Sequence, residues 1–179
     1  NPFNYLIVPK PEQMLRASVG LAFRRARLQY IYSILRGKDL DTGLFSEERR
    51  EQQFEKLKVA QAHALDIQNW HEFIKALKQA GYNNESFISS NNNILYSYVF
   101  FLIGRIDYKV DLYELKKLIA KWFFMCSITG RYTGSPETAM EMDLAKFRSV
   151  DNADDFVKEL NSIIDSQLTS DFWEVTLPM

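Results

Sequence analysis

The 179-residue chain holds a single cysteine, Cys126, and two histidines, His63 and His71. One thiol cannot form an internal disulfide, so a reducing compartment, the cytoplasm, is expected. The two histidines have no second cysteine or further histidine beside them, and His71-Glu72 lacks the second histidine of an H-E-x-x-H helix. No metal site is expected. The loop Asp39-Leu40-Asp41-Thr42-Gly43 begins like a calcium loop, but its twelfth position is Arg50, where a bidentate glutamate is needed; it reads as a turn.

An excess of either charge is also missing. Lys and Arg total 22 against 23 Asp and Glu, for a net charge of −1. Such a chain has no overall field to hold it on a polyanion, so any nucleic-acid contact must come from a local basic patch. Long hydrophobic runs are lacking too. The most apolar stretch, Ile94–Ile103, is interrupted by Ser97 and followed by Gly104-Arg105. A membrane span needs about 20 apolar residues, so this stretch reads as a buried helix and no membrane contact is expected. No leader with a basic start and an apolar centre is visible. There is no G-x-S-x-G elbow, no P-loop and no dinucleotide fingerprint. Cys126 lies on an apolar helix face and reads as a core residue. No catalytic residue and no cofactor are expected in this chain.

What is present is helical periodicity. At 46% hydrophobic residues, a chain of this length suits one domain with a sizeable core. Six of the seven glycines and all five prolines fall between periodic apolar stretches, the exception being Gly20. Both residue types weaken helix interiors, so they mark where helices stop. The spacing predicts an all-α, single-domain bundle of about six to seven helices, spanning 1–179 as a piece of a longer multidomain protein.

The first helix is expected over Glu12–Arg36, either continuous or broken near Gly20, with Gly37 as its C-terminal cap. A turn over Lys38–Phe45 leads to a second helix from about Glu47 to Leu65, with acidic residues favoured in its first turn. Asn69 and Glu72 form the pattern of a capping box before Trp70, Phe73, Ile74 and Leu77. Ser90 or Asn91 opens a fourth helix through Ile103, whose seam of Asn93, Ser97 and Gly104 allows close helix approach. Asp111 and Glu114 cap a fifth, with the stripe Leu112, Leu115, Leu118, Ile119, Trp122, Phe123 and Cys126. Phe124 and Ile128 lie off that stripe and need cover from another helix or a partner. Ser135-Pro136-Glu137 starts a sixth, and Asp151 or Asn152 a seventh. Asp171–Val175 reads as a short turn that docks the tail.

Two basic features qualify as anion or nucleic-acid candidates. In Gly130-Arg131-Tyr132-Thr133-Gly134-Ser135, a polar turn feeds a helix start, where free N–H groups and the helix dipole favour an anion. Arg131 would add a forked donor, with Tyr132 and Ser135 beside it. The plainer reading has Ser135 and Pro136 as caps and Arg131 paired with Glu137 or Glu141. On the first helix, Arg16, Arg24, Arg25, Arg27 and Arg36 interleave with core residues. Arg24 and Arg25 are kept as candidates, although such placement favours pairing with acidic neighbours over a nucleic-acid face.

Ala22-Phe23-Arg24-Arg25-Ala26, Trp122-Phe123-Phe124 and Gly130-Arg131-Tyr132, with Ser135, Glu137 and Asp143-Leu144 following, resemble the helical region of GmrSD-like bacterial restriction proteins. These large defence proteins carry an N-terminal ParB/sulfiredoxin-like domain that binds and hydrolyses nucleotide, and many carry a C-terminal HNH-type nuclease. The Asp-Gly-Gln-Gln-Arg signature of the former and the histidine set of the latter are absent here. The resemblance therefore implies a non-catalytic helical domain that couples a nucleotide-responsive domain to DNA or to a nuclease domain. Its partners would be neighbouring domains of the same polypeptide and DNA. A scaffold or oligomerisation module without nucleic-acid contact is the alternative.

The stripe on the fifth helix makes a direct prediction. Trp122→Ala should cost about 3–5 kcal/mol if that ring is core, and an unchanged urea midpoint would mean the helix is wrongly oriented.

Overall fold

The computed structural model describes residues 7–40, 42–84 and 90–176. Among these it has nine α-helices: α1 (Pro11–Phe23), α2 (Leu28–Leu35), α3 (Glu47–Leu65), α4 (Ile67–Gln79), α5 (Asn91–Leu102), α6 (Leu112–Thr129), α7 (Pro136–Lys146), α8 (Ala153–Gln167) and α9 (Ser170–Thr176). No strand is present among the described residues, and the one antiparallel bridge, Lys38 with Phe45, closes the turn between α2 and α3. The all-α class holds; the number of helices exceeds the six to seven expected. No helix among the described residues is long and apolar enough to cross a membrane.

α5 is the axis. Every residue from Asn93 to Leu102 is buried, and α1, α4 and α6 pack against it. The helix runs on into a π-helical turn, Ile103–Asp107, so Gly104 does not end it as expected. The small residues explain how closely the neighbours approach. A Cβ on Gly20 would lie 2.8 Å from Val99 Cγ1, and one on Gly104 would lie 2.6 Å from Leu115 Cδ1. Glycine at these two positions lets α1 meet α5 and lets α6 meet the π-helical turn. Around the axis, Trp70, Phe73, Tyr98 and Phe101 form one aromatic cluster, and the Tyr98 hydroxyl donates to the Ala64 carbonyl at 2.9 Å. Trp122 is fully buried and meets Phe100 edge-on at 4.9 Å.

Several starts and stops follow expectation. α3 spans Glu47–Leu65, with the Ser46 hydroxyl accepting from the Arg49 N–H. The Asp111 carboxylate accepts from the N–H groups of Tyr113 and Glu114, both at 3.0 Å. Gly37 and Gly130 take positive φ of 84° and 62° at the ends of α2 and α6, where a side chain would be strained.

Three details differ. The first stretch breaks at Arg24–Arg27 rather than at Gly20, because Arg24 adopts a left-handed backbone (φ 52°) and its carbonyl accepts from the Arg148 guanidinium. The fourth helix of the molecule is capped by Asp66, whose carboxylate accepts from the Gln68 N–H at 2.8 Å. Asp and Asn are comparable caps, so position alone does not choose between them. Asn69 lies inside the helix and donates to the His63 carbonyl at 2.9 Å, tying α4 to the end of α3. The segment expected as a terminal turn is the helix α9.

Glu72, 6% exposed, bridges two layers. It accepts from Lys116 of α6 and from Lys75 at 2.6 Å. The Lys116 and Lys75 hydrogen bonds outweigh burial and lower its carboxyl from 4.5 to about 2. A depressed carboxylate contributes stability above its ordinary range and loses it as pH falls toward the folded value. Urea titrations should therefore show stability falling between about pH 4.5 and pH 2, with a shallower fall in Glu72→Gln. Identical acid limbs in the two proteins would show that the bridge contributes nothing.

Candidate functional site

α7 is where the sequence candidates meet. Arg131 grips Asp143 with both ends of its fork: Nε donates to Oδ2 at 2.9 Å and Nη2 to Oδ1 at 2.5 Å. The Tyr132 hydroxyl donates to the same carboxylate at 2.7 Å. Asp143 is 2% exposed and Tyr132 fully buried. The Arg131 guanidinium also stands 5.7 Å from the Trp122 ring centre. Burial works against its charge, but the Asp143 hydrogen bonds and charge outweigh it, so Arg131 is held cationic more firmly than a free arginine. Burial raises the Tyr132 phenol, and the neighbouring Asp143 charge raises it further. Arg131 therefore has a structural partner, and it is Asp143 rather than Glu137 or Glu141.

Those two glutamates serve other arginines. Glu137 pairs with Arg16 at 2.5 Å. Glu141, 8% exposed, accepts from Arg25 at 2.9 Å, Arg148 at 2.6 Å and the backbone N–H groups of Ala26 and Arg27 at 2.7 and 3.2 Å. Burial alone would raise its carboxyl, and these donors reverse the direction to a net lowering. Arg24 donates to the Leu21 carbonyl and pairs with Asp107 of the π-helical turn. The structure thus splits the five candidates. Arg131 and Tyr132 belong to the Asp143 network on one side of α7. Arg24 and Arg25 belong to the network of Glu141 and Asp107.

Ser135 sits at the cap position of α7, but its hydroxyl accepts no capping hydrogen bond. Pro136, at the first helical position, has no N–H to satisfy. The turn before it closes on itself, with the Thr133 hydroxyl donating to the Gly130 carbonyl at 2.7 Å. Cys126 is fully buried, and burial pushes its thiol up, away from the reactive thiolate. Among the described residues no group of three or more His, Cys, Asp or Glu side chains is arranged to hold a metal ion. Asp41 of the calcium-like loop lies outside the described residues. Asp39 in that loop accepts from the Thr42 N–H at 2.8 Å and pairs with Arg49 at 3.3 Å.

Sequence reasoning passed over the open surface around α3. On one face of this helix, a groove of about 640 Å³ is lined by Phe23, Arg24, Lys56, Val59, Asp107 and Arg148. A second groove of about 400 Å³ shares Phe23 and Lys56 and adds Arg25, Lys38, Asp39 and Arg49. Together they gather six cations, with Asp39, Asp107 and Glu141 as the paired carboxylates. Among the described residues Lys38 and Lys56 have no carboxylate partner; each ammonium lies 5.8 Å from an aromatic ring, Phe45 and Phe23 respectively. On the opposite face of α3, Arg50, Phe54 and Lys58 line a groove of about 1010 Å³ with Leu35, Arg36 and Phe45. The signal that could have found the cationic side is Arg49, Lys56 and His63, spaced seven residues apart and hence stacked on one helical face.

The buried pairing on α7 has a measurable consequence. Asp143→Ala leaves Arg131 and Tyr132 without their acceptor and should cost about 3–5 kcal/mol. Ser135→Ala, lacking a hydrogen bond to lose, should cost well below the ~1 kcal/mol of a working cap. Urea denaturation compares them, and a smaller loss for Asp143→Ala than for Ser135→Ala would contradict the geometry. No family model, curated protein or solved structure matches the chain.

Proposed function

We propose that this chain is the non-catalytic helical domain of a GmrSD-like restriction or defence protein, coupling a nucleotide-responsive domain to DNA or to a nuclease domain. The observation that carries this reading is the placement of open grooves on opposite faces of α3. A coupling element needs two contact surfaces, and this helix has one cationic flank and one that mixes charges of both signs with Leu35, Phe45 and Phe54. The segments that carry the family likeness also converge. Ala22–Ala26 is held by Glu141, and Gly130–Tyr132 by Asp143, both on α7.

In this reading Arg131 and Tyr132 hold the turn against α7, while phosphate contacts fall to the cationic flank. Arg24, Arg25, Arg49 and Lys56 line it. Backbone phosphates are recognised by such clusters without regard to base sequence. The alternative, a docking module without nucleic-acid contact, rests on the other flank. There Phe45 and Phe54 line the groove and are 60% and 42% exposed.

Fluorescence anisotropy with a labelled DNA duplex tests the first reading. The doubly reversed variant Arg49→Glu/Lys56→Glu should bind at least about tenfold more weakly, and lose roughly two units of salt slope. Arg131→Ala, compared below its melting range, should retain the affinity of the parent. Duplex binding that survives the double reversal would overturn the assignment of phosphate contacts to this flank, and a parent that binds no duplex would remove DNA from the proposal and leave the docking reading.

A further inference from the structure

Four parts of the chain meet at the groove beside the C-terminal end of α1. α1 ends on it at Phe23, α3 runs along it, and the π-helical turn and the link from α7 to α8 add Ile106 and Val150. Its volume of about 640 Å³ is that of a small-molecule site. Two backbone irregularities also stand on its lining, the left-handed Arg24 (φ 52°) and the π-helical turn itself. Irregularities of both kinds cluster at functional sites, since a regular helix would be the more stable local choice.

Most charges of this groove are already engaged. Arg24 is held by Asp107 and Arg148 by Glu141. That leaves Lys56, which has no carboxylate partner among the described residues and lies 5.8 Å from the Phe23 ring. One free cation matches one negative charge. Lys56, Val59, Ala60 and His63 recur at i, i+3, i+4 and i+7, so they form one stripe on α3. The stripe is about 10 Å long, with the ammonium at one end and the imidazole at the other. Val59, between them, is 60% exposed, and Ile106 and Val150 are half-buried. Tyr108 fixes these last two elements together, its hydroxyl donating to the Val150 carbonyl at 2.8 Å and its ring stacked on Phe156.

We propose that this groove binds a small organic monoanion with an apolar body, its carboxylate on Lys56 and its body on Val59 and Ile106. The ion pair fixes the orientation, and burial of the apolar stripe supplies the driving force. A second charge on so small a ligand would meet only cations that are already paired. The inference goes beyond the DNA reading and does not rest on it, because it uses the apolar stripe, which phosphate contacts leave unused.

Titration of the full chain with phenylpropionate and with octanoate, followed by NMR, tests it; the uncharged amides of both acids are the controls. At least one acid should shift the backbone signals of Phe23, Lys56, Val59 and Ile106, with Kd of about 1 mM or below, as ligands of this size allow. Lys56→Gln should weaken that acid about tenfold and leave its amide unchanged. Val59→Asp, at an exposed position, should weaken both. Lys58→Gln, on the opposite face of α3, should change neither. Preserved signal dispersion shows that each variant is folded. Acid and amide binding equally, an acid indifferent to Lys56→Gln, or shifts centred on Phe45 and Phe54 would each overturn the proposal. So would the lack of a saturable shift with either acid up to about 10 mM. DNA titrations are a separate measurement, so failure of either reading leaves the other standing.

Discussion

From Asn93 to Leu102 no residue of α5 faces water, and that constrains everything placed around it. A helix without a polar side must be enclosed on every flank, and its backbone groups are satisfied because the helix bonds internally. The enclosing helices then compete for space, and the small residues settle the contest. α1 comes in over Gly20 against Val99, and α6 meets the chain at Gly104. At Gly104 the regular helix gives way to the wider π-helical turn, and the Val110 N–H bonds to the Gly104 carbonyl at 2.9 Å. The turn also carries Asp107 to Arg24. The burial of α5 and the position of one arginine in a surface groove are therefore linked through a single irregular segment.

The ion pairs on α7 play a different part. Buried charged pairs add little stability over an apolar replacement, yet losing one partner is costly because a charge is left in low dielectric. Glu141 satisfies two backbone N–H groups in the link that leads into α2, together with two guanidinium groups. Asp143 takes three donors from the Gly130–Ser135 turn region. Because the two carboxylates point to opposite sides of α7, the helix has one rotation in which both sets are satisfied. An apolar interface of the same area would tolerate sliding; this one does not.

How much of this was legible follows from the range of the interaction. Local signals read well: Asp111 and Asn152 cap as their types suggest, and the apolar stripe of α6 is the buried one. The break at Arg24 was not legible near Gly20. The left-handed turn there depends on Arg148 and Glu141, more than a hundred residues along the chain. Gly20 itself serves contact with α5 and lies within α1. Arg131 shows the same limit. Its neighbours in sequence, Gly130, Thr133 and Ser135, suggest an anion cradle, while its partner Asp143 is set by how the turn folds back on α7. Glu137, Glu141 and Asp143 are interchangeable by spacing alone, and only the rotation of α7 distinguishes them.

The remaining question is why α3 leaves a groove open on each flank. Of its nineteen residues only Leu57, Ala60 and Ala64 are buried, and they form one narrow line. The alanines let the helix lie close on the bundle without surrounding it, so the surfaces on both sides of that line stay open. Such a helix spans about 28 Å as a single rod, and groups bound on its two flanks touch the same rigid body. On the proposed function, coupling between them would need no chain of contacts through the core. It would need only that each partner favour a different seating of the rod, since a ligand shifts an equilibrium by its differential affinity and by nothing else.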